Sequence, residues 1–255
     1  MKDTVLLADI GNTSLDLCLY QNEILFPCKI SKDQPELLKK KIGEYLEKKP
    51  FSFALISSVN HEARDTLTTL LEEKKIPYEA VNPEMMDTYN EIHHIKVDNT
   101  SFLGSDLYCD ILAYPAPCII IDLGTVGKIL FLDKNKVFHG AAIFPDIKQF
   151  ASLMHQDTDL LGEYDLLKNP PVVSLKTKEC ISSGIINGIS GLIVSMTKRI
   201  KKDYNAKESE VYLTGGNSTL VKDILPYFEM EDFHYDPYLP LRGLSKLIPV
   251  AKKEK

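Results

Sequence analysis

The sequence predicts an α/β protein built as two tandem domains, and three observations predict it. An apolar run from Val5 to Ala8 ends in Asp9, turns at Gly11-Asn12 and resumes as alternating apolar positions from Leu15 to Leu19. That is the pattern of a strand, a tight turn and a second strand. The same pattern returns from Cys118 to Leu132, again as an apolar strand, an Asp122-Leu123-Gly124-Thr125 turn and a second apolar strand. Two such hairpins in one chain imply an internal duplication, although the copies share little beyond that core. Stretches with helical apolar spacing follow each hairpin and supply the α half.

A carboxylate at the end of a buried strand has a chemical use. When a glycine that admits close backbone approach and small polar side chains follow it, the turn can hold a phosphate and its Mg²⁺, a hard ion that prefers oxygen ligands and keeps most of its waters. The same letters also make an ordinary β-hairpin, with Gly11, Asn12, Thr13 and Ser14 serving geometry alone. The second copy, at Asp122, is what tips the reading toward a ligand.

The chain has 255 residues, 36 acidic and 30 basic side chains and a net charge of −6. That length can bury two medium cores. The composition is that of an ordinary soluble globular protein, without a basic footprint for nucleic acid or an anionic membrane. No nucleic-acid partner and no membrane partner are therefore expected. Cys18, Cys28, Cys109, Cys118 and Cys180 are odd in number, scattered and without metal spacing, and read as reduced core residues. The N-terminus runs directly into a strand with no leader pattern, so a cytoplasmic protein is expected.

Along the chain, Ile24 to Ile30 reads as a third strand. Ser31 to Lys48 reads as an amphipathic helix begun near Pro35-Glu36, with Leu38, Ile42, Tyr45 and Leu46 on one face. Phe53 to Val59 is a buried strand ending in small polar residues, and Asn60 caps a helix in which Ala63, Leu67, Leu70 and Leu71 share a face. Ile76 to Val81 is a strand. Residues 82–99 read as irregular, and the adjacent His93 and His94 have no carboxylate or cysteine at ligand spacing. Phe102 to Tyr114 is a helix stopped by Pro115, and the rigid Pro115-Ala116-Pro117 connection sets the boundary between domains 1–114 and 115–255. In the second domain a helix with Ile147, Phe150, Leu153 and Met154 on its apolar face follows Asp146. The longest helix runs from Lys178 to Lys201, with Thr177 placed to cap it. Glu210 to Thr214 is a strand entering a Gly215-Gly216 turn and then a helix, and residues 252–255 form a frayed tail. Neither Gly-x-Gly-x-x-Gly nor Gly-x-x-x-x-Gly-Lys-Ser/Thr occurs, which removes sequence support for Rossmann or P-loop nucleotide binding.

A duplicated strand-Asp-x-Gly hairpin resembles the superfamily of acetate and sugar kinases, heat-shock ATPases and actin. More narrowly, Asp9-Ile10-Gly11-Asn12-Thr13, Gly104-Ser105-Asp106, Thr214-Gly215-Gly216 and the Pro237 to Leu244 ending, in that order, resemble type III pantothenate kinase. The resemblance implies two tandem ribonuclease-H-like (actin-like ATPase) domains with an ATP cleft between them, in a homodimer with the substrate pocket at the subunit interface. It implies ATP-dependent phosphorylation of pantothenate to 4′-phosphopantothenate, the first step of coenzyme A biosynthesis. Residue by residue, Asp9 would organise Mg²⁺ through the phosphates, and Gly11, Asn12 and Thr13 would hold those phosphates. Thr125, Gly215 and Gly216 would contact ATP. Asp106 would be the general base. Gly104, Ser105, Asp106, Leu107 and Thr177 would meet pantothenate, and Asp122 would serve a monovalent cation, K⁺ or NH₄⁺.

The chain departs from the family pattern where Leu107 replaces an Arg and where Ala141 and Asp146 replace glycines. Lys128 stands in place of a small hydroxyl residue, and Val97 where a tyrosine is frequent. Lys128 reads either as a phosphate contact or, more usually, as a solvated strand residue. The departures motivate a rival reading: a catalytically impaired, nucleotide-binding regulatory paralogue of the kinase, or a kinase for another small alcohol.

Overall fold

The computed structural model describes residues 4–32, 34–156 and 165–252, so that of the tail expected to fray, 253–255 lie outside the described residues. The chain divides into two compact units, Met1–Pro115 with Tyr238–Lys255, and Ala116–Pro237.

Unit 1 is organised on the first hairpin. Strands β1 (Val5–Ile10), β2 (Ser14–Tyr20), β3 (Ile24–Ser31), β4 (Phe53–Ser58) and β5 (Tyr78–Ala80) form one sheet in the order β3-β2-β1-β4-β5. The β3-β2-β1 pairings are antiparallel, and β4 and β5 are added in parallel. A run such as Val5 to Ala8 is apolar on both faces because β1 lies at the centre of the sheet, where both sides are covered. Helices α1 (Pro35–Leu46) and α2 (His61–Glu73) pack their apolar stripes on this sheet. In α2 the Asn60 side chain accepts from the backbone N–H of Ala63 at 3.0 Å, and Ala63, Leu67, Leu70 and Leu71 are buried. Cap and stripe are those the sequence predicts.

Of residues 82–99, read as irregular, Pro83–His93 form a helix, whereas 94–99 are irregular. Helix α3 (Pro83–His93) starts with Pro83 in its first turn, is capped by the Asn82 side chain on Met85 N–H at 2.8 Å, and ends at His94 with φ of 55°. Its buried residues, Met85, Met86, Tyr89 and Asn90, follow helical spacing, but two methionines and a polar asparagine carry a weaker periodic signal than aliphatic residues. A single 3₁₀ turn (Thr100–Phe102) then leads to α4 (Ser105–Leu112).

Unit 2 repeats the plan. Strands β6 (Cys118–Leu123), β7 (Val126–Leu132), β8 (Phe138–Pro145), β9 (Glu210–Thr214) and β10 (His234–Tyr235) form a sheet in the order β8-β7-β6-β9-β10, with the same senses as in unit 1. The duplication read from two short motifs is therefore a duplication of sheet topology. Helices α5 (Ile147–Gln156) and α6 (Thr177–Asp203) cover this sheet. Helix α6 is long and apolar enough to cross a membrane, yet its apolar face, with Ile181, Ile185, Ile186, Ile189 and Ile193, is buried in the unit 2 core.

Three local expectations are corrected in unit 2. Gly140 to Pro145, part of the turn that the family resemblance implies, lies within β8, and Asp146 joins that strand to α5; only Gly140 has positive φ there (102°), so Ala141 and Asp146 replace glycines without backbone strain. Thr177 is the exposed first residue of α6 and not its cap; Lys176 precedes the helix without a side-chain cap bond. The Gly-Gly turn leads into short 3₁₀ turns, Ser218–Leu220 and Leu225–Phe228, instead of a helix. Of the five cysteines, all free, Cys18, Cys109 and Cys118 are buried, whereas Cys180 is exposed.

The end of the chain returns to unit 1, where a domain spanning 115–255 would have kept it in unit 2. Helices α7 (Leu239–Lys246) and α8 (Ile248–Ala251) are the reason. Leu239, Leu241, Gly243 and Leu244 are buried, and a methyl group added at Gly243 would lie 1.6 Å from the carbonyl oxygen of Cys109 in α4. The Gly-Leu of the C-terminal motif is thus a backbone-to-backbone helix contact. Gly243→Ala must separate α7 from α4, and overpacking of this kind costs typically about 1–3 kcal/mol, with backbone clashes at the upper end. A fall in melting temperature of roughly 6 °C or more is expected. A melting curve superimposable on wild type would show that the two helices are not held this closely.

Candidate functional site

In unit 1 the site residues stand at one end of the central strands. Asp9 is the penultimate residue of β1, opposite Asp16 of β2 and Ser57 of β4. The turn is closed by Gly11 N–H donating to the Ser14 carbonyl at 3.0 Å, which leaves Asn12 and Thr13 exposed. Lys32, a residue the sequence did not single out, reaches this turn: its Nζ donates to the Gly11 carbonyl at 2.6 Å and its backbone N–H to the Thr13 carbonyl at 3.0 Å. Burial lowers the Lys32 pKa from its usual value. Nothing local marks this lysine in sequence, because its proximity comes from β3 running back antiparallel to β2.

Asp106 lies in the first turn of α4, with Gly104 at the N-cap. A methyl group at residue 104 would sit 2.5 Å from Asp106 Oδ1, so a larger residue there would push the carboxylate away from where it lies over Gly104. That is the steric content of the Gly-x-Asp spacing. Ser105, expected to meet substrate, is buried and committed: its hydroxyl accepts from Ser58 N–H at 3.0 Å and lies 3.2 Å from Ser57 Oγ. It ties α4 to the end of β4, and gives Ser57 and Ser58 a structural use. The structure brings Asp9 and Asp106 to a common neighbour, the fully buried Cys109 thiol, whose pKa is held well above the usual value by burial first and then by Asp9, Asp110 and Asp106. Leu107 is half-buried and offers no hydrogen-bond donor.

In unit 2 the carboxylate of Asp122, near the end of β6, lies beneath both glycine turns. A methyl group added at Gly124 would be 3.5 Å from Asp122 Oδ1, and one at Gly215, which has φ of 92°, would be 2.5 Å from the same oxygen. Asn217 fastens the two turns together, its backbone N–H donating to the Leu123 carbonyl at 3.0 Å and its side-chain amide to the Gly124 carbonyl at 3.3 Å. The same amide donates to Asp146 Oδ2. Burial raises the Asp146 pKa, and the Asp122 charge adds to the rise. Asn217 is a second residue the sequence did not single out, since a residue after Gly-Gly carries no signature of what it will reach. Thr125 is half-buried in the β6–β7 turn, Gly216 is exposed, and Thr177 is exposed at the start of α6.

The other oxygen of Asp122 is taken. Lys128, directly opposite on β7, places Nζ 2.8 Å from Asp122 Oδ2, with side-chain exposures of 9% and 10%. Lys128 is therefore not a solvated strand residue. The monovalent cation assigned to Asp122 by resemblance does not fit beside it: two unit charges about 4 Å apart repel by about 4 kcal/mol at an effective dielectric of 20. Among the described residues no three His, Cys, Asp or Glu side chains gather as a metal cage. Mg²⁺ fits Asp9 all the same, since the adjoining exposed turn leaves room for an ion that keeps its waters and shares ligands with phosphate.

Residues 5–199 match the family model described as type III pantothenate kinase. A type III pantothenate kinase of Thermosipho africanus is 28% identical over 247 residues, covering 94% of this chain and 96% of that protein. One of Finegoldia magna is 26% identical with all of both chains covered. Among solved structures, component A of (R)-2-hydroxyglutaryl-CoA dehydratase from Acidaminococcus fermentans is similar with a TM-score of 0.56 at 13% identity, over 99% of this chain and 98% of that one. The activator of 2-hydroxyisocaproyl-CoA dehydratase from Clostridium difficile, solved with bound ADPNP, is similar with a TM-score of 0.53 at 14% identity, over 100% and 98%. These likenesses show the fold, that of the actin-like ATPases, as the duplicated hairpins predict. The sequence match extends from the first strand through both Asp-x-Gly hairpins and Asp106 into α6, and the chain belongs to the type III pantothenate kinase family.

Proposed function

We propose that this chain transfers the γ-phosphoryl group of ATP to the primary hydroxyl of pantothenate, the entry step to coenzyme A. The observation that carries the reading is the family match over both hairpins and Asp106. Phosphoryl transfer asks a protein chiefly for positioning and for charge stabilisation. The Gly11 to Thr13 turn holds the phosphates, with the Lys32 ammonium adjoining it. Asp9 would hold Mg²⁺, which when bound supplies neutralisation of the charge developing on the transferred group. Asp106 accepts the hydroxyl proton, and Thr125 with Gly215 and Gly216 contacts the nucleotide.

The regulatory-paralogue reading is not favoured. The relatives named above carry the kinase's name, and the departures at Ala141 and Asp146 strain no backbone. Release of ADP in the presence of Mg²⁺, with and without pantothenate, tests the proposal: ADP must form faster with the acceptor present, and a rate equal to the blank would refute it.

The protein acts as a homodimer in this reading. Val172, Val173 and Leu175, which precede α6, are 80%, 86% and 105% exposed in the single chain, an apolar run suited to cover by a second copy. Sedimentation is expected to give twice the chain mass, and a monomer at micromolar concentration would count against it.

Leu107 bears on acceptor affinity. Pantothenate carries a carboxylate, which a guanidinium at this position would meet through charge-assisted hydrogen bonds. Such a bond is worth about 1.5–3 kcal/mol, or roughly ten- to a hundredfold in affinity. Leu107→Arg is expected to lower KM for pantothenate by about that factor with little change in KM for ATP. An unchanged or higher KM for pantothenate would mean that the pocket is built around leucine for a different acceptor.

A further inference from the structure

The Asp122 carboxylate supports both nucleotide turns of unit 2 from below. Its Oδ1 lies against Gly124 and Gly215, the positions where added methyl groups would come within 3.5 Å and 2.5 Å. Its Oδ2 faces Lys128 Nζ at 2.8 Å, across a directly opposed pair of antiparallel strands. Opposed residues in such a pair stand close on one face of the sheet, so the contact is set by register and not by chance reach of a flexible side chain. The other charged group of this cluster is Asp146, whose Oδ2 accepts from Asn217 and whose Oδ1 is buried.

A buried carboxylate under a phosphate-binding turn needs a positive counter-charge, because its own charge otherwise opposes the anion above it. In the family resemblance that counter-charge is an exchangeable K⁺ or NH₄⁺. A lysine terminus is an alkylated ammonium, with the same charge and the same capacity to donate to oxygen as NH₄⁺. We propose that Lys128 is a built-in monovalent cation: its ammonium permanently fills the cation position at Asp122, so that this kinase is independent of K⁺ and NH₄⁺. Lys128 is a positioning residue here, acting on the nucleotide through Asp122 and the turns that Asp122 supports. The inference rests on the reading of those turns as a nucleotide site, and its test is separated from that reading.

The test follows melting temperature in KCl, NH₄Cl and tetramethylammonium chloride at constant ionic strength. Wild type melts at the same temperature in all three salts. Lys128→Ala vacates the position, melts lower in tetramethylammonium, and recovers saturably with K⁺ or NH₄⁺. A saturable K⁺-specific rise in wild type, or no cation-specific response in Lys128→Ala, overturns the proposal. Calorimetry with ADPNP and Mg²⁺ is the second readout. Wild-type affinity is unchanged by K⁺, whereas Lys128→Ala loses tenfold or more in tetramethylammonium and regains it in K⁺. Lys128→Met, which retains volume without charge, loses affinity in every salt and is not rescued; unchanged affinity in this variant overturns the proposal even if the alanine variant fails to fold. Absence of ADPNP binding by wild type in all salts would refute the kinase reading, while the melting comparison would still decide the occupancy of the Asp122 position.

Discussion

Asp106→Asn is expected to lower the maximal rate by two or more orders of magnitude while affinity for a non-hydrolysable ATP analogue stays near wild type. General-base catalysis typically contributes roughly 10²–10⁴-fold, and an amide of nearly the same shape cannot take the hydroxyl proton. The substitution is conservative for the fold. Gly104 leaves open the space into which the residue 106 side chain turns, and α4 draws no side-chain cap bond at its N-terminus that the change would remove. One cost is the weaker interaction of a neutral group with the helix dipole, about 0.3–1 kcal/mol. Loss of analogue binding, measured by calorimetry, would instead assign Asp106 to the nucleotide site and remove it from the proton-transfer step.

Asp9→Asn is expected to abolish turnover, with a loss of roughly 10³-fold or more, because a metal ion that stabilises transition-state charge contributes several kcal/mol and a neutral amide no longer holds it. The fold should not suffer. Asp9 stands directly opposite Asp16, which is paired with Lys29 at 2.9 Å, and like charges opposed across strands destabilise a sheet. The melting temperature of Asp9→Asn is expected to stay close to that of wild type, because the amide is nearly isosteric with the carboxylate. A hairpin-only role makes the opposite forecast for activity: unchanged turnover at saturating Mg²⁺ in protein of unchanged melting temperature would establish it.

The parts of the molecule that were readable in sequence are those decided locally. The two hairpins, the Asn60 cap and the stripe Ala63, Leu67, Leu70, Leu71 each depend on residues within a few positions of one another. Helix α3 was missed because its buried face is made of Met85, Met86, Tyr89 and Asn90, a set without aliphatic periodicity. What long-range contacts decide was not readable. The return of α7 to unit 1 depends on Gly243 meeting the backbone of Cys109. Lys32 reaches the Gly11 carbonyl only because β3 returns beside β2, and the Ser105 hydroxyl accepts from Ser58 N–H only because α4 packs against the end of β4. Lys128 reads as solvated until strand register sets it opposite Asp122, where burial of both partners changes its meaning.

The most direct test of the central claim is the fate of the phosphoryl group itself. Purified protein incubated with γ-labelled ATP, Mg²⁺ and pantothenate should transfer the label to a product with the mass of pantothenate plus one phosphoryl group, esterified at the primary hydroxyl. Label recovered only as inorganic phosphate, label remaining wholly in ATP, or label transferred to an unrelated small alcohol offered in the same mixture but not to pantothenate, would contradict it.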